Sequence, residues 1–256
     1  MKKLGLSFSG GGVKALVYLG VLKALYDNAI EVHAIGALSG GAIIAGLFGT
    51  GKSFEEIESI IKNVNISSLL DVNPFDGVEI LDQERVLETF KTYVGDFKIE
   101  NTKPALAIFA TDLDERKAAV MREGNLAEAI LASCALSPLM LPYKISGKLL
   151  AEGGYSVYYG AKYIREMGAD IVVGCDVDSI STLKFMEPIG SIFQSISALV
   201  RVNAEKELLL DPVDLDIGNF KDGVNMFDFK KMDNKLVDAG YQRTLEVVPQ
   251  IKKLLK

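Results

Sequence analysis

The chain has 256 residues, of which 49% are hydrophobic and 24% charged, and its formal net charge is −6 at pH 7. This balance predicts one large packed domain, or at most two small ones, and argues against disorder. The acidic charge and the lack of a lysine-rich or arginine-rich block argue against nucleic acid as a partner. Two distant cysteines and one histidine cannot form a Cys/His zinc site, so we expect the cysteines to be buried thiols.

The first part of the chain alternates short apolar runs, typical of strands, with stretches of helical spacing. A glycine triplet, Gly10 to Gly12, separates the first strand from the first helix. Ser53 and Glu56 have the spacing of a capping box, which predicts that a helix begins there. We predict strands at residues 4–8, 32–38 and 104–113, helices at 13–28, 40–48, 54–64 and 83–93, and a loop-rich segment at 65–82.

The second part of the chain continues the alternation. Ser146-Gly147 is expected to form the turn of a hairpin, Gly168 to end a helix, and Pro249 to break or kink the last helix. We predict helices at residues 125–136, 158–168, 186–210 and 237–255, a hairpin at 144–154, and strands at 170–179 and 213–220. This order predicts an α/β fold with a mostly parallel sheet covered on both faces.

The sequence shows no convincing targeting or membrane-spanning segment. The apolar run at residues 4–8 is too short for the core of a signal peptide. The uncharged stretch at residues 34–51 is rich in glycine and barely long enough to span a bilayer. We interpret it as a buried strand and helix, and we expect a cytoplasmic protein.

Two of the three glycine-rich motifs suggest nucleotide binding. Gly10 to Ala15 fits a dinucleotide fingerprint, but Glu31 lies at the start of the second strand, where an acidic residue should follow its end. Gly46 to Ser53, GLFGTGKS, matches a phosphate-binding loop in full, and such a loop needs a strand before it and a helix after it. A helix ending at glycines, followed by a capped helix, explains the same residues, and both interpretations stay open.

The third motif, Ala37 to Gly41, reads ALSGG and resembles the small-residue setting of a serine nucleophile between a strand and a helix. Its serine is Ser39. The single histidine, His33, lies six residues upstream on the same predicted strand, which places it roughly 20 Å away at about 3.3 Å per residue. A base must approach to about 3 Å. The base for Ser39 must therefore be a carboxylate or a lysine, or the chain is not a catalyst of this type.

The order and spacing of three sequence blocks resemble the patatin-like phospholipase family, whose members use a Ser–Asp dyad. The blocks are LSFSGGGVKALVYLGVLKAL, ALSGGAIIAGLFGTGKSFEEI and the stretch from FATDL to LLAEGG. The resemblance extends over nearly the whole chain. It implies one domain, residues 1–256, with a three-layer α/β/α architecture around a mostly parallel central sheet.

The resemblance also implies roles for individual residues. Ser39 matches the nucleophile, and Gly10, Gly11 and Gly12 match the loop whose N–H groups form the oxyanion hole. Glycines suit that task because they let the backbone turn several N–H groups toward one point. Lys14 matches the basic residue after the glycines, although an exposed charge in the first helical turn explains it equally well. Gly41, in the nucleophile segment, is a further supporting residue.

The chain departs from the family pattern at the second catalytic motif. Where the family has Asp-Gly-Gly or Asp-Gly-Ala, the sequence reads Glu152-Gly153-Gly154. Glutamate has a similar pKa but is one methylene longer, and a misplacement of about 1 Å can cost roughly 10²-fold in rate. If Glu152 is the base and merely fits the site less well than aspartate, Glu152→Asp should raise the rate of ester hydrolysis. An inactive relative with a binding role is the alternative.

Other carboxylates at predicted strand ends could line the same site. Asp112 ends the strand at residues 104–113 and is a candidate substitute base, while Asp176 and Asp178 end the strand at residues 170–179. In the family pattern, the Thr111-Asp112 pair is interpreted as structural.

The resemblance therefore implies a serine acyl hydrolase that acts on lipid or other carboxylic esters. No metal and no cofactor is expected, and the expected partners are the ester substrate and, transiently, a membrane surface. The oligomeric state and the substrate head group do not follow from the sequence.

Overall fold

The computed structural model describes residues 1–64, 70–72, 79–177, 188–218, 220 and 234–256. Its central feature is an eight-stranded sheet with helices on both faces. The strands in chain order are β1 (Leu4–Phe8), β2 (Val32–Ala37), β3 (Leu70–Val72), β4 (Glu79–Leu81), β5 (Ala105–Asp112), β6 (Lys117–Met121), β7 (Tyr143–Ile145), β8 (Lys148–Ala151), β9 (Ile171–Cys175) and β10 (Leu215–Asp216). β3 and β4 form a separate antiparallel pair.

The helices connect these strands and cover the sheet. They are α1 (Val17–Asp27), α2 (Ser39–Gly49), α3 (Phe54–Asn63), α4 (Gln83–Val94), α5 (Leu126–Ser133), α6 (Ala161–Glu166), α7 (Pro188–Leu210) and α8 (Asn234–Leu254). One short 3-10 turn, Gly12–Leu16, begins at the last glycine of the triplet, and another, Gly153–Tyr155, directly follows Glu152.

The strand order of the central sheet is β10-β9-β1-β2-β5-β8-β7, and β6 also pairs with β5. Strands β10, β9, β1, β2 and β5 run parallel, whereas β6 and β8 are antiparallel to β5. The chain order reverses at β1, because β2 and β5 lie on one side of it and β9 and β10 on the other. Open parallel sheets bind ligands beyond the carboxyl ends of their strands near such a reversal. The glycine triplet follows β1 at this point.

The alternation of side chains along the strands divides the core in two. Leu4, Leu6 and Phe8 of β1 point into the larger core, which also contains buried side chains of α1, α2, α5 and α8. The opposite face of the sheet packs against α6, and Phe109 and Ile164 lie in that smaller core. The prediction of a mostly parallel sheet covered on both faces is confirmed.

Helices α1 and α8 pack unusually closely where they cross. A Cβ on Gly20 would lie 1.9 Å from the Val237 carbonyl oxygen, and a Cβ on Gly240 would lie 2.0 Å from the Val17 carbonyl oxygen. Each helix therefore needs a glycine where the other crosses it, because any side chain there would overlap with backbone. None of the described helices combines the length and apolar character needed to cross a bilayer.

Several local predictions are confirmed. Ser53 and Glu56 form the capping box at the start of α3, with both reciprocal hydrogen bonds present. Ser146 and Gly147, with φ values of 50° and 86°, form the turn between β7 and β8. Gly168, with a φ of 95°, follows α6 where the sequence predicts the helix to end.

Other predictions are wrong in instructive ways. No strand is predicted at residues 117–121, where β6 pairs with β5. Residues 70–72 and 79–81 are predicted as loop, although they pair as β3 and β4. The C-terminal helix is continuous from Asn234 to Leu254 with Pro249 inside it, so of the predicted break or kink the break does not occur.

The phosphate-binding-loop alternative for Gly46 to Ser53 is also wrong. A phosphate-binding loop follows a strand, but the residues before this motif belong to α2, which ends at Gly49. Gly51 has a φ of 85° in the turn that follows, and Ser53 then caps α3. The motif therefore consists of the end of α2, a turn and the N-cap of α3. Glu31 directly precedes β2, which is the wrong end of the strand for a dinucleotide site.

Candidate active site

Ser39 lies on a sharp turn between β2 and α2. Leu38 is extended and donates its N–H to the Phe8 carbonyl at 3.1 Å, which ties the turn to the end of β1. Ser39 itself has a φ of 51°, in the left-handed region that residues other than glycine seldom adopt. A strained serine at a strand-to-helix turn is the backbone geometry of a nucleophile elbow, in which the hydroxyl projects away from the sheet.

The glycines after Ser39 are required by close backbone contacts. A Cβ on Gly41 would lie 2.6 Å from the Ser9 carbonyl oxygen and 2.8 Å from that of Phe8. A Cβ on Gly40 would lie 2.7 Å from the Gly12 carbonyl oxygen. The start of α2 therefore packs directly against the loop that follows β1, and Gly41 supports the elbow by allowing this contact.

Glu152 is the carboxylate that contacts Ser39. The Ser39 hydroxyl donates to Oε2 of Glu152 at 2.9 Å, and Oε1 accepts the Gly154 N–H at 3.2 Å. The backbone of Glu152 is held on both sides, because its N–H donates to the Ala135 carbonyl at 3.1 Å and its carbonyl accepts the Thr111 hydroxyl at 2.8 Å. The extra methylene of glutamate is thus accommodated, and the carboxylate reaches the serine.

Burial makes the Glu152 carboxylate more basic than an ordinary glutamate. The residue is 5% exposed, and loss of hydration raises its pKa to about 7. Hydrogen bonds from Gly154, Ser39 and Gly153 act in the opposite direction and favour the ionised form. A carboxylate with a pKa near neutrality is well matched to accept a proton at neutral pH.

The glycine triplet contacts the elbow through Gly10 and Gly12 and carries several backbone N–H groups. A Cβ on Gly10 would lie 3.2 Å from the Ser39 Cβ and 3.6 Å from its Oγ. Gly11 and Gly12 have φ values of 150° and 54°, which turn the backbone sharply before the first 3-10 turn. Across the part of the chain that the structure describes, the N–H groups of Gly10, Gly11 and Gly12 donate to no protein acceptor. Such unpaired donors are suited to bind an anion.

A family model described as "Patatin-like phospholipase" matches residues 6–159, a range that includes the glycine triplet, Ser39 and Glu152. The chain belongs to the patatin-like phospholipase family. This confirms the resemblance seen in the sequence.

The relatives of this patatin-like chain are longer proteins. An uncharacterised NTE family protein of Mycobacterium tuberculosis is 27% identical over 217 residues, which cover 81% of this chain and 60% of the relative. A lysophospholipase of Emericella nidulans is 28% identical over 185 residues, which cover 70% of this chain but 12% of the relative. The chain therefore spans less than two thirds of the length of these relatives.

Solved structures share the patatin-like fold at low sequence identity. VipD from Legionella pneumophila superposes with a TM-score of 0.63 at 14% identity, covering 98% of this chain and 67% of VipD. Human GIVD cytosolic phospholipase A2, solved with methyl gamma-linolenyl fluorophosphonate, superposes with a TM-score of 0.51 at 12% identity. That match covers 99% of this chain and 58% of the human protein. These likenesses establish the fold.

Lys14 of this patatin-like chain is not an exposed charge, so that interpretation is wrong. Its side chain is 3% exposed, and its ammonium donates to the Val177 carbonyl at 3.3 Å. The bond joins the first 3-10 turn to the segment after β9, so Lys14 helps to hold the glycine triplet in place.

The other acidic candidates have structural partners. Asp112 accepts the N–H groups of Asp114 and Glu115 and pairs with the Lys148 ammonium at 3.4 Å, and these bonds lower its pKa. These partners lie in the turn after β5 and on β8, and none of them is Ser39. Asp176 accepts the Tyr158 hydroxyl and pairs with Arg201 at 2.7 Å. Asp178 lies outside the described residues.

His33 lies at the far end of β2 from Ser39. Its Nε2 is 3.2 Å from the Met167 carbonyl and lies beside Gly168. This is the end of the parallel strands opposite to the elbow. No histidine therefore takes part in the Ser39–Glu152 pair, since the chain has a single one.

Sequence reasoning missed two groups at the elbow. Gly40 carries a backbone N–H directly after Ser39, the position that supplies an oxyanion donor in elbow-type hydrolases. Ser133, at the end of α5, accepts the Ser39 N–H at 2.8 Å. The first could be found from the motif alone, whereas the second depends on how α5 packs against the sheet.

Proposed function

We propose that the chain is a serine acyl hydrolase that cleaves carboxylic esters of lipids, with Ser39 as nucleophile and Glu152 as general base. The observation that carries the proposal is the 2.9 Å hydrogen bond from the Ser39 hydroxyl to a buried carboxylate on a strained elbow. Family membership supports the lipid substrate, as do curated relatives named lysophospholipases.

The reaction follows from this pair in two stages. Ser39 Oγ bonds to the ester carbonyl carbon while its proton passes to Glu152 Oε2, and the leaving alcohol takes that proton as its C–O bond breaks. Water then attacks the acyl-serine ester and gives a proton to Glu152, which returns it to Ser39 Oγ as the acid departs. One carboxylate thus acts as base and then as acid in each stage.

The negative charge on the carbonyl oxygen needs fixed donors. Gly10 lies beside Ser39 and Gly12 contacts Gly40. The N–H groups of Gly10, Gly11 and Gly12, which have no acceptor among the described residues, are the proposed oxyanion hole, to which we add the Gly40 N–H. Removing one donor of this kind typically costs on the order of 10²–10³ in rate. Lys14, Gly41 and Asp112 keep supporting roles in holding the surrounding loops.

A reagent that reacts with activated serines tests the proposal. The human structural neighbour was solved with a fluorophosphonate, so a fluorophosphonate probe followed by mass spectrometry is the natural choice. We expect covalent labelling at Ser39, together with hydrolysis of a lysophospholipid, and loss of both in Ser39→Ala. A folded wild-type protein that takes no label and hydrolyses neither a lysophospholipid nor a short-chain ester would contradict the proposal and favour an inactive relative.

A transient contact with a lipid surface is part of the same proposal. Helix α7 lies beside the proposed base, since a Cβ on Gly154 would be 3.7 Å from Val200 and Asn203 donates to the Tyr155 carbonyl at 3.3 Å. Its outer face exposes apolar side chains, including Ile192 and Leu199, the latter 65% exposed. Such a face next to the site suits partial insertion among lipid head groups.

A further inference from the structure

Ser133 is a fully buried serine that bridges the elbow and the neighbouring strand. It is 0% exposed at the end of α5. Its hydroxyl lies 2.8 Å from the Ser39 nitrogen and 2.6 Å from the Phe109 carbonyl oxygen. A hydroxyl has one proton to donate. That proton goes to Phe109 of β5, so the oxygen is left to accept the Ser39 N–H.

This bond occupies a group that would otherwise lack a partner. The first N–H groups of a helix have no acceptor within the helix, and α2 begins at Ser39. By accepting the Ser39 N–H, Ser133 fixes the orientation of the peptide group before the nucleophile. It also means that the Ser39 N–H is not available to a bound oxyanion, whose donors must come from the neighbouring glycines.

The proposed base is tied to the same strand. Thr111, two residues after Phe109 on β5, donates its hydroxyl to the Glu152 carbonyl at 2.8 Å. Phe109 thus holds the nucleophile through Ser133, and Thr111 holds the base directly. Two buried hydroxyls, that of Ser133 on α5 and that of Thr111 on β5, thus tie the nucleophile and the base to the same strand.

We propose that Ser133 is a positioning residue that holds Ser39 in its strained, reactive conformation through the bond to its backbone N–H; this inference rests on the function proposed above. Without the Ser133 hydroxyl, the peptide group before Ser39 can rotate, and the Oγ moves relative to both Glu152 and the oxyanion donors. A displacement of about 1 Å costs roughly 10²-fold in rate.

The test compares Ser133→Ala with Ser7→Ala as a matched control. Ser7 is 1% exposed, and its hydroxyl also donates to a backbone carbonyl at 2.6 Å, that of Tyr159, without contacting Ser39 or Glu152. Active sites are titrated with a fluorophosphonate, and kcat and KM for a short-chain ester are measured per labelled site. We expect Ser133→Ala to lower kcat and the labelling rate by ~10–100-fold with KM unchanged, and Ser7→Ala to leave kcat unchanged.

The outcomes separate this inference from the proposed function. If Ser133→Ala lowers only the melting temperature, as Ser7→Ala would, and keeps kcat per labelled site, Ser133 is merely structural and the inference is wrong. If Ser133→Ala does not fold, Ser133→Cys is measured instead, since its sulfur fills the space but hydrogen-bonds weakly, and an unchanged kcat there overturns the inference. A wild-type protein that is inert toward esters and probe would overturn the proposed function, and with it this role of Ser133.

Discussion

At the scale of single residues, Ser39 adopts a backbone conformation that costs roughly 1–3 kcal/mol for a residue other than glycine. Its N–H bonds to Ser133 and its hydroxyl to Glu152, and Leu38 beside it is tied to β1. A strained serine that is held from several sides implies a function for the strain, because an ordinary turn would relax.

The contact between Ser39 and Glu152 reverses the expectation drawn from the sequence for Glu152→Asp. Aspartate is shorter by one methylene, so from the same backbone position its carboxylate falls short of the 2.9 Å contact that glutamate makes. We predict that Glu152→Asp lowers kcat by roughly 10²-fold. The measurement is steady-state hydrolysis of a short-chain ester, with the melting temperature recorded to verify the fold.

Glu152→Gln is the matched control for that substitution, since it keeps the length of the side chain and removes the base. It should lower kcat further than Glu152→Asp does. An aspartate variant as fast as the wild type, or faster, would show that the observed serine–glutamate geometry is not the one used in catalysis.

At the scale of secondary-structure elements, the sequence predicted what depends on local pattern. The capping box at Ser53 and the hairpin turn at Ser146 follow from a few adjacent residues. Strand β6 was not predicted because its residues, Lys117–Met121, consist largely of lysine and alanine, which are not typical of strands, and it forms by pairing with β5. Pro249 is tolerated inside α8 because the buried side chains of Val248 and Ile251 on either side of it keep the helix packed.

The residues of the candidate site likewise fall into those that the sequence reveals and those that depend on distant contacts. Ser39 and the glycine triplet are visible as short motifs, and Glu152 was found by family resemblance rather than by its own pattern. Ser133 could not be found from sequence, because its role arises from a contact between residues 94 positions apart. The raised pKa of Glu152 likewise depends on burial by segments distant in the chain.

Helix α7 gives a prediction at this scale. Replacing Ile192 and Leu199 together by glutamine should lower hydrolysis of phospholipid vesicles by ~10-fold, because burying one such side chain is worth about 1.5–3 kcal/mol. Hydrolysis of a soluble short-chain ester should not change. Leu210→Gln is the control, because Leu210 is 87% exposed but lies at the opposite end of the helix from Ile192. Equal losses on both substrates would exclude a role in lipid contact.

At the scale of the whole molecule, the buried Glu152 carboxylate links catalysis to stability. Its pKa is about 7 in the folded protein, against an ordinary glutamate value of 4.5. Between these values the folded state binds more protons than the unfolded state, so the contribution of Glu152 to the free energy of unfolding falls as the pH rises from 4.5 to 7. Activity runs in the opposite direction, because the base works only when it is ionised.

We therefore predict opposite pH profiles for activity and for the stability contribution of this one side chain. The value of kcat/KM should rise through a midpoint near the pKa of about 7. In urea denaturation, Glu152→Gln should match the wild type well below pH 4.5, where both side chains are neutral in the folded and the unfolded state, and exceed it by up to about 3 kcal/mol above pH 7. A difference between the two proteins that stays constant from pH 5 to 8 would show that the carboxylate does not titrate in this range. The pH dependence of kcat/KM would then have to arise from another group.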